Sequence, residues 1–155
     1  MESMPATFDS LAAYPVVIEV PVQWGDQDLF GHVNNTVYFR WCESARIAYG
    51  LRIGLAATQH TVAPIMASIT CHFRRPVVFP DTVRVGARIV KIGRTSMTME
   101  HVILSESQQA VVADGSAVLV SYNYETRQAI PVPEAVRAAI ASLEGQPGAD
   151  HPNIL

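Results

Sequence analysis

The sequence predicts an α+β fold in which an antiparallel sheet curls round one long helix. Three observations predict it. A short alternating segment opens the patterned part of the chain; one long stretch then carries apolar residues at helical spacing; four further strand-like segments follow, separated by turn residues.

The first alternating segment runs from Val16 to Trp24. Ile18, Val20, Val22 and Trp24 fall on one face, and Val17, Glu19, Pro21 and Gln23 on the other. Pro21 has no backbone N–H, which places this strand where that donor is not needed. Gly25 to Gly31 is acidic and turn-like. Asn34 or Asn35 then offers an N-cap for a helix reaching about Gly50. Tyr38, Trp41, Cys42, Ala45, Ala48 and Tyr49 give that helix a broad apolar face. Gly50 or Gly54 can end it.

Met66 to Phe73 reads as the second strand, stopped by Pro76. Thr82 to Lys91 alternates, with Val83, Val85, Ala87 and Ile89 on one face. Ser96 to Leu104 and Val111 to Tyr124 follow, the last expected to bend at Gly115. These four segments read as an antiparallel meander. Pro131 and Pro133 introduce a short helix through Leu143, with Val136, Ile140 and Leu143 on one side. Residues 1–13 read as a loose lead-in, 14–144 as one domain and 145–155 as a polar tail. Periodicity leaves several α+β architectures open.

Composition narrows the function. The 155 residues are 49% apolar and only 16% charged, against about 25% charged in an average globular chain. A sparsely charged surface on a small protein predicts an oligomer. The net charge of −3 gives no sign of a nucleic-acid partner. No stretch approaches the ~20 apolar residues that span a bilayer, and residues 1–14 lack a signal-peptide pattern. With only Cys42 and Cys71, there is no disulfide framework. A cytoplasmic location is expected.

Several machines are absent. No G-x-S-x-G elbow and neither common glycine-rich phosphate loop occurs. His32, His60, His72, His101 and His151 are scattered, and neither cysteine has a partner at zinc spacing, so no metal is expected.

The chemistry that is present concentrates in Trp24-Gly25-Asp26-Gln27-Asp28-Leu29-Phe30-Gly31-His32-Val33-Asn34-Asn35. Taken singly, these are ordinary turn and cap residues. Together they place two carboxylates just before a helix start. The unpaired N–H groups there polarise a carbonyl and stabilise an oxyanion. A carboxylate facing the same carbonyl can attack it, or take a proton from water. A thioester suits this equipment, because its carbonyl is activated and thiolate leaves readily.

Residues 24–46, with G-D-x-D, then G-H-V-N-N, then an aromatic and E-x-A-R on the helix, resemble the signature of hot-dog acyl-CoA thioesterases of the 4-hydroxybenzoyl-CoA thioesterase type. F-R-R-P-V at 73–77, F-P-D-T-V at 79–83, K-I-G-R-T-S at 91–96 and I-P-V-P at 130–133 fit the same family. The resemblance implies a five-stranded antiparallel sheet wrapped round the helix. It also implies a homodimer joined sheet edge to edge, often paired again into a homotetramer, with active sites at the dimer seam. It makes Asp28 the catalytic carboxylate and the Asn35 N–H the carbonyl-polarising amide. Asp26 reads as a turn brace. His32 can orient water or bond the turn. Glu43 is the rival acid, with an ion pair to Arg40 or Arg46 as its ordinary role. The namesake enzyme carries bulky aromatic residues where this chain has Asn34 and Asn35, so an aliphatic acyl group fits as well as an aromatic one. Phe30, Tyr38, Met66 and Ile69 are candidate acyl-pocket linings.

The implied substrate is an acyl-CoA, with no cofactor beyond the coenzyme A it carries. The phosphates of coenzyme A call for clustered basic groups. Arg74, Arg75, Lys91 and Arg94 are the candidates, with Thr95 and Ser96 as hydroxyl donors. Two rival readings are a hot-dog hydratase or dehydratase pairing His32 with Glu43, and a non-catalytic acyl-CoA-binding protein.

Overall fold

The computed structural model describes residues 8–55 and 61–145. Eight main elements follow one another: β1 (Val16–Pro21), α1 (Asn35–Arg52), β2 (Val62–Phe73), β3 (Thr82–Ile92), β4 (Ser96–Ser105), β5 (Ala110–Asn123), β6 (Gln128–Ala129) and α2 (Glu134–Glu144). The strands form one antiparallel sheet in the order β1-β3-β4-β5-β2, and β6 adds to β5. The sheet thus has six strands, the sixth only two residues long, where five were expected.

The expected four-strand meander is corrected. Only β3, β4 and β5 form one; β2 pairs with the far side of β5, Phe73 facing Ala113 and Ile65 facing Val120. Residues 74–81 therefore carry the chain across the sheet. Alternation tells which face a residue takes but not which strand lies beside it. The segment 74–81, with Pro76 and Pro80, is also too long for a tight hairpin.

Helix α1 forms where the sequence supplies both ends. Asn34 caps it, its side-chain oxygen accepting the Thr36 N–H at 2.9 Å. At the other end Gly54 takes the left-handed conformation, φ 84°, and Leu55 N–H bonds back to Gly50 O at 2.8 Å. Gly54 thus ends the helix and Gly50 lies within it. The buried residues Val37, Tyr38, Trp41, Cys42, Ala45, Ala48 and Tyr49 form one face. That face packs into the concave side of the sheet, on Val83, Val85, Met97, Met99 and Ile103 among others.

The convex side is covered differently. Tyr14 and Leu11 pack on Val102 and Leu104, Leu11 from a 3₁₀ helix that spans Phe8–Ala13. Residues 1–7, His60, His151 and all of the tail beyond Gly145 lie outside the described residues.

Two further expectations change. β1 stops at Pro21, and Trp24 stands in a 3₁₀ turn with 73% of its surface exposed. The Gln23 N–H that would continue the strand is taken by the Asp26 carboxylate at 2.8 Å. Gly115 lies in regular pairing with Cys71 and His101; β5 bulges instead at Val112, between Ile103 and Leu104 of β4. The role of Gly115 is close approach, since a Cβ there would lie 2.0 Å from Thr70 O.

Candidate active site

The acidic segment folds into a narrow double-backed turn against the start of α1. Asp28 N–H donates to His32 O at 2.9 Å, and Gly31 N–H to Asp28 O at 3.0 Å. Gly31 has φ 80°, a conformation natural to glycine. Asn34 N–H donates to Asp26 O at 2.9 Å, and Val33 N–H to Val77 O at 2.8 Å, so the turn is pinned to the crossover segment. Gln27 adds a second pin by accepting the Phe79 N–H at 3.1 Å.

This folding sets the two acids apart. The Asp26 carboxylate bonds Gln23 N–H, which is a turn brace. Asp28 is half-buried. Its Oδ1 accepts the Phe30 N–H at 2.9 Å and its Oδ2 faces Asn34 Nδ2 at 3.3 Å. Asp28 is therefore held against the residue that caps α1. Among the described residues, no acceptor engages the next amide along, that of Asn35. The arrangement can bring a carboxylate and a polarising helix amide to one bond.

The other candidates spread out. His32 is exposed on the turn, and its contribution there is its backbone carbonyl. Glu43 is exposed and lies eight residues into α1, about 12 Å along its axis. His32 and Glu43 do not form a dyad. Among the described residues Glu43 makes no close ion pair, but its charge acts on the guanidinium of Arg46, one of its two expected partners.

The basic candidates split into two groups. Arg74 and Arg75 follow β2, near the acid turn; the Arg75 carbonyl accepts the Tyr38 hydroxyl at 3.4 Å. Arg74 is held by Asp114 in a two-pronged pair, 2.8 and 3.1 Å. Lys91, Arg94, Thr95 and Ser96 sit at the β3–β4 turn. Phe73 is level with Ala113, whereas Ser96 is level with Val120. Seven residues of β5 separate those levels, about 23 Å at 3.3 Å each. One chain does not gather these groups, contrary to the expectation of a single cluster. Sequence reasoning also missed Arg137, which donates to Gly93 O at 2.6 Å and braces the β3–β4 turn from α2. Its place on a helix far along the chain gave no signal.

Of the proposed acyl-pocket residues, Tyr38 is core, in tilted contact with Trp41 and edge-to-face contact with Phe73. Met66 and Ile69 pack partly against the core. Phe30 is 87% exposed, beside the fully exposed Leu29. With Trp24 and Phe79 in edge contact at 5.6 Å, these side chains give the acid turn an apolar surround. Among the described residues, no three His, Cys, Asp or Glu side chains are placed to share a metal ion. No described helix is long and apolar enough to cross a membrane.

A long helix in a curled antiparallel sheet, with an acid turn at the helix start, defines the hot-dog thioesterase class. The model of the thioesterase-like superfamily matches residues 22–140, and the chain belongs to that superfamily of thioester hydrolases. It is similar to a thioesterase of Thermus thermophilus solved with coenzyme A and zinc, at 37% identity. The match covers 87% of this chain and 98% of that one, with a TM-score of 0.77. A gentisyl-coenzyme A thioesterase structure is 25% identical, covering 80% and 98% of the two chains, TM-score 0.72. The long-chain acyl-CoA thioesterase FadM of Escherichia coli is 26% identical over 128 residues, 81% of this chain and 96% of its own.

Proposed function

We propose that this protein hydrolyses an acyl-CoA, with Asp28 as nucleophile or general base and the Asn35 N–H as the oxyanion donor, in the manner of the 4-hydroxybenzoyl-CoA type. One observation carries the reading: the Asp28 carboxylate is tied to the capping residue of α1, one position before an amide that no acceptor engages among the described residues. As base, Asp28 takes a proton from water. The resulting hydroxide forms the C–O bond, the carbonyl oxygen carries the charge against the helix start, and the C–S bond breaks to release thiolate, which takes up a proton. As nucleophile, Asp28 forms a mixed anhydride that water then cleaves. The apolar surround of Leu29, Phe30 and Trp24 suits an apolar acyl chain, consistent with the long-chain substrate in the name of the Escherichia coli relative.

The same reading includes a second subunit. β2 is an edge strand with no fully buried residue, and its Ile65 and Phe73 are 37% and 48% exposed. A homodimer joined along β2, with or without further pairing into a homotetramer, covers that edge. It also brings the partner's β3–β4 turn toward the acid turn of the first chain. The free thiols of Cys42 and Cys71 suit a reducing cytoplasm.

The test is thiol release over a panel of short, long, branched and aromatic acyl-CoAs. Asp28→Asn is expected to lose about a hundredfold or more in turnover with its melting temperature nearly unchanged. No release from any member of the panel, or an undiminished rate in Asp28→Asn, overturns the proposal.

A further inference from the structure

The side chain of Asn34 is held on both sides, and the two contacts require different atoms. Its Oδ1 accepts the Thr36 N–H at 2.9 Å and the Thr36 hydroxyl at 2.7 Å, while its Nδ2 faces Asp28 Oδ2 at 3.3 Å. Chemistry fixes this orientation. Turning the amide over would set an NH2 group against a backbone N–H, and an oxygen against a carboxylate. Its backbone is fixed as well, through Asn34 N–H to Asp26 O. One planar amide therefore joins the helix cap to the carboxylate six residues before it.

Resting on the reading of Asp28 as the reacting acid, we propose that Asn34 is a positioning residue for the reaction and not only a helix cap. The Phe30 N–H holds Asp28 Oδ1, and Asn34 Nδ2 holds Oδ2. The two donors fix the plane of the carboxylate relative to the Asn35 N–H, which no acceptor engages among the described residues. Oδ2 has more than one lone pair, so one remains for the water or the acyl carbon. Ser, Asp and Asn cap helices about equally well, but neither Ser nor a carboxylate has an N–H to offer Asp28. Capping and positioning are therefore separable by substitution.

The experiment compares Asn34→Ser, Asn34→Asp and Asn34→Ala in the full chain, by steady-state thiol release and thermal melting. Asn34→Ser is expected to keep the melting temperature within about 2 °C and KM within about twofold, while kcat falls about tenfold or more. Asn34→Asp keeps the cap but sets a second carboxylate against Asp28, and its kcat falls further. Asn34→Ala loses both functions, so its melting temperature falls as well. Wild-type kcat in Asn34→Ser overturns the inference. If Asn34→Ser melts as low as Asn34→Ala, then Asn34→Asp decides: a retained kcat overturns the inference, and a lost kcat at wild-type melting temperature upholds it. Failure of the underlying reading is distinct, because it shows as an undiminished rate in Asp28→Asn.

Discussion

Glu144, near the end of α2, accepts the Ile89 backbone N–H at 2.7 Å and the Tyr49 hydroxyl at 2.6 Å through the same Oε1. The pairing of β3 with β4 slips between Ile89 and Lys91, and such a bulge disturbs the ladder. Glu144 supplies an acceptor at that point and fastens α2 to the C-terminal end of α1. Burial, and then the hydrogen bond to Glu144, push the Tyr49 hydroxyl well above the usual tyrosine range, so it remains a donor. Glu144→Ala is expected to cost about 2–3 kcal/mol in urea unfolding, since it strands a backbone donor and a buried hydroxyl. Glu144→Gln keeps an acceptor and should cost less. A Glu144→Ala protein within about 0.5 kcal/mol of wild type, the range of bland surface substitutions, would show that the carboxylate is dispensable.

His101 sits on the concave face of the sheet with 2% of its surface exposed, and neither ring nitrogen has a hydrogen-bond partner of good geometry. Burial, and secondarily the charge of Arg46, push its pKa down to about 4. The folded protein therefore binds this proton less readily than the unfolded chain, whose histidine titrates near 6.5. Between those values the unfolded state holds more protons, so stability falls as pH drops from 6.5 to 4 and is fully present above 6.5. The full difference is about 3 kcal/mol. In urea titrations across that window, His101→Met should flatten the pH dependence by roughly that amount. An unchanged slope would mean that another group governs acid sensitivity.

Most of this fold was legible where a local signal had one meaning. Asn34 and Gly54 bracket the helix chemically, and the alternation of Val83, Val85, Ala87 and Ile89 gave the buried face of β3 correctly. What alternation lacks is information about neighbours, so β2 was placed beside β3 when it lies beside β5. The same limit applied at the site. The Gly31 turn and the cap were readable, and with them the placing of Asp28 beside the helix start. The distance between Arg74 and Arg94 was not, because it is set by sheet register and not by sequence separation. Trp24 was misplaced because one hydrogen bond, Asp26 to Gln23, ended the strand before the hydrophobic pattern did.

Gly115 tests the packing between β5 and β2. A Cβ at this position would lie 2.0 Å from Thr70 O and 3.0 Å from Cys71 Cα, both rigid backbone atoms. Gly115→Ala must force the two strands apart along the widest pairing in the sheet. An expected loss of about 3 kcal/mol or more, or failure to fold, follows from overpacking against backbone. Gly25→Ala is the control, since nothing lies within 4 Å of its added Cβ, and its stability should stay within about 0.5 kcal/mol. Equal unfolding midpoints for the two variants would show that β2 can shift freely.

The separation of the basic groups makes a prediction about assembly. In one chain, Arg94 lies at the opposite end of the sheet from the Asp28 turn, whereas Arg75 lies near it. If coenzyme A phosphates meet Arg94, they do so across the β2 edge, in a site whose acid comes from the other subunit. Arg94→Ala alone should raise KM at low salt, and added salt should narrow the gap. Subunit mixing is the sharper measurement. In a heterodimer of Asp28→Asn and Arg94→Ala chains, a shared site places both lesions together and leaves the second site intact. Such a heterodimer should show about half the wild-type kcat at wild-type KM. If each chain instead builds its own site, every site carries one lesion, and the remaining activity should have only the raised KM of Arg94→Ala.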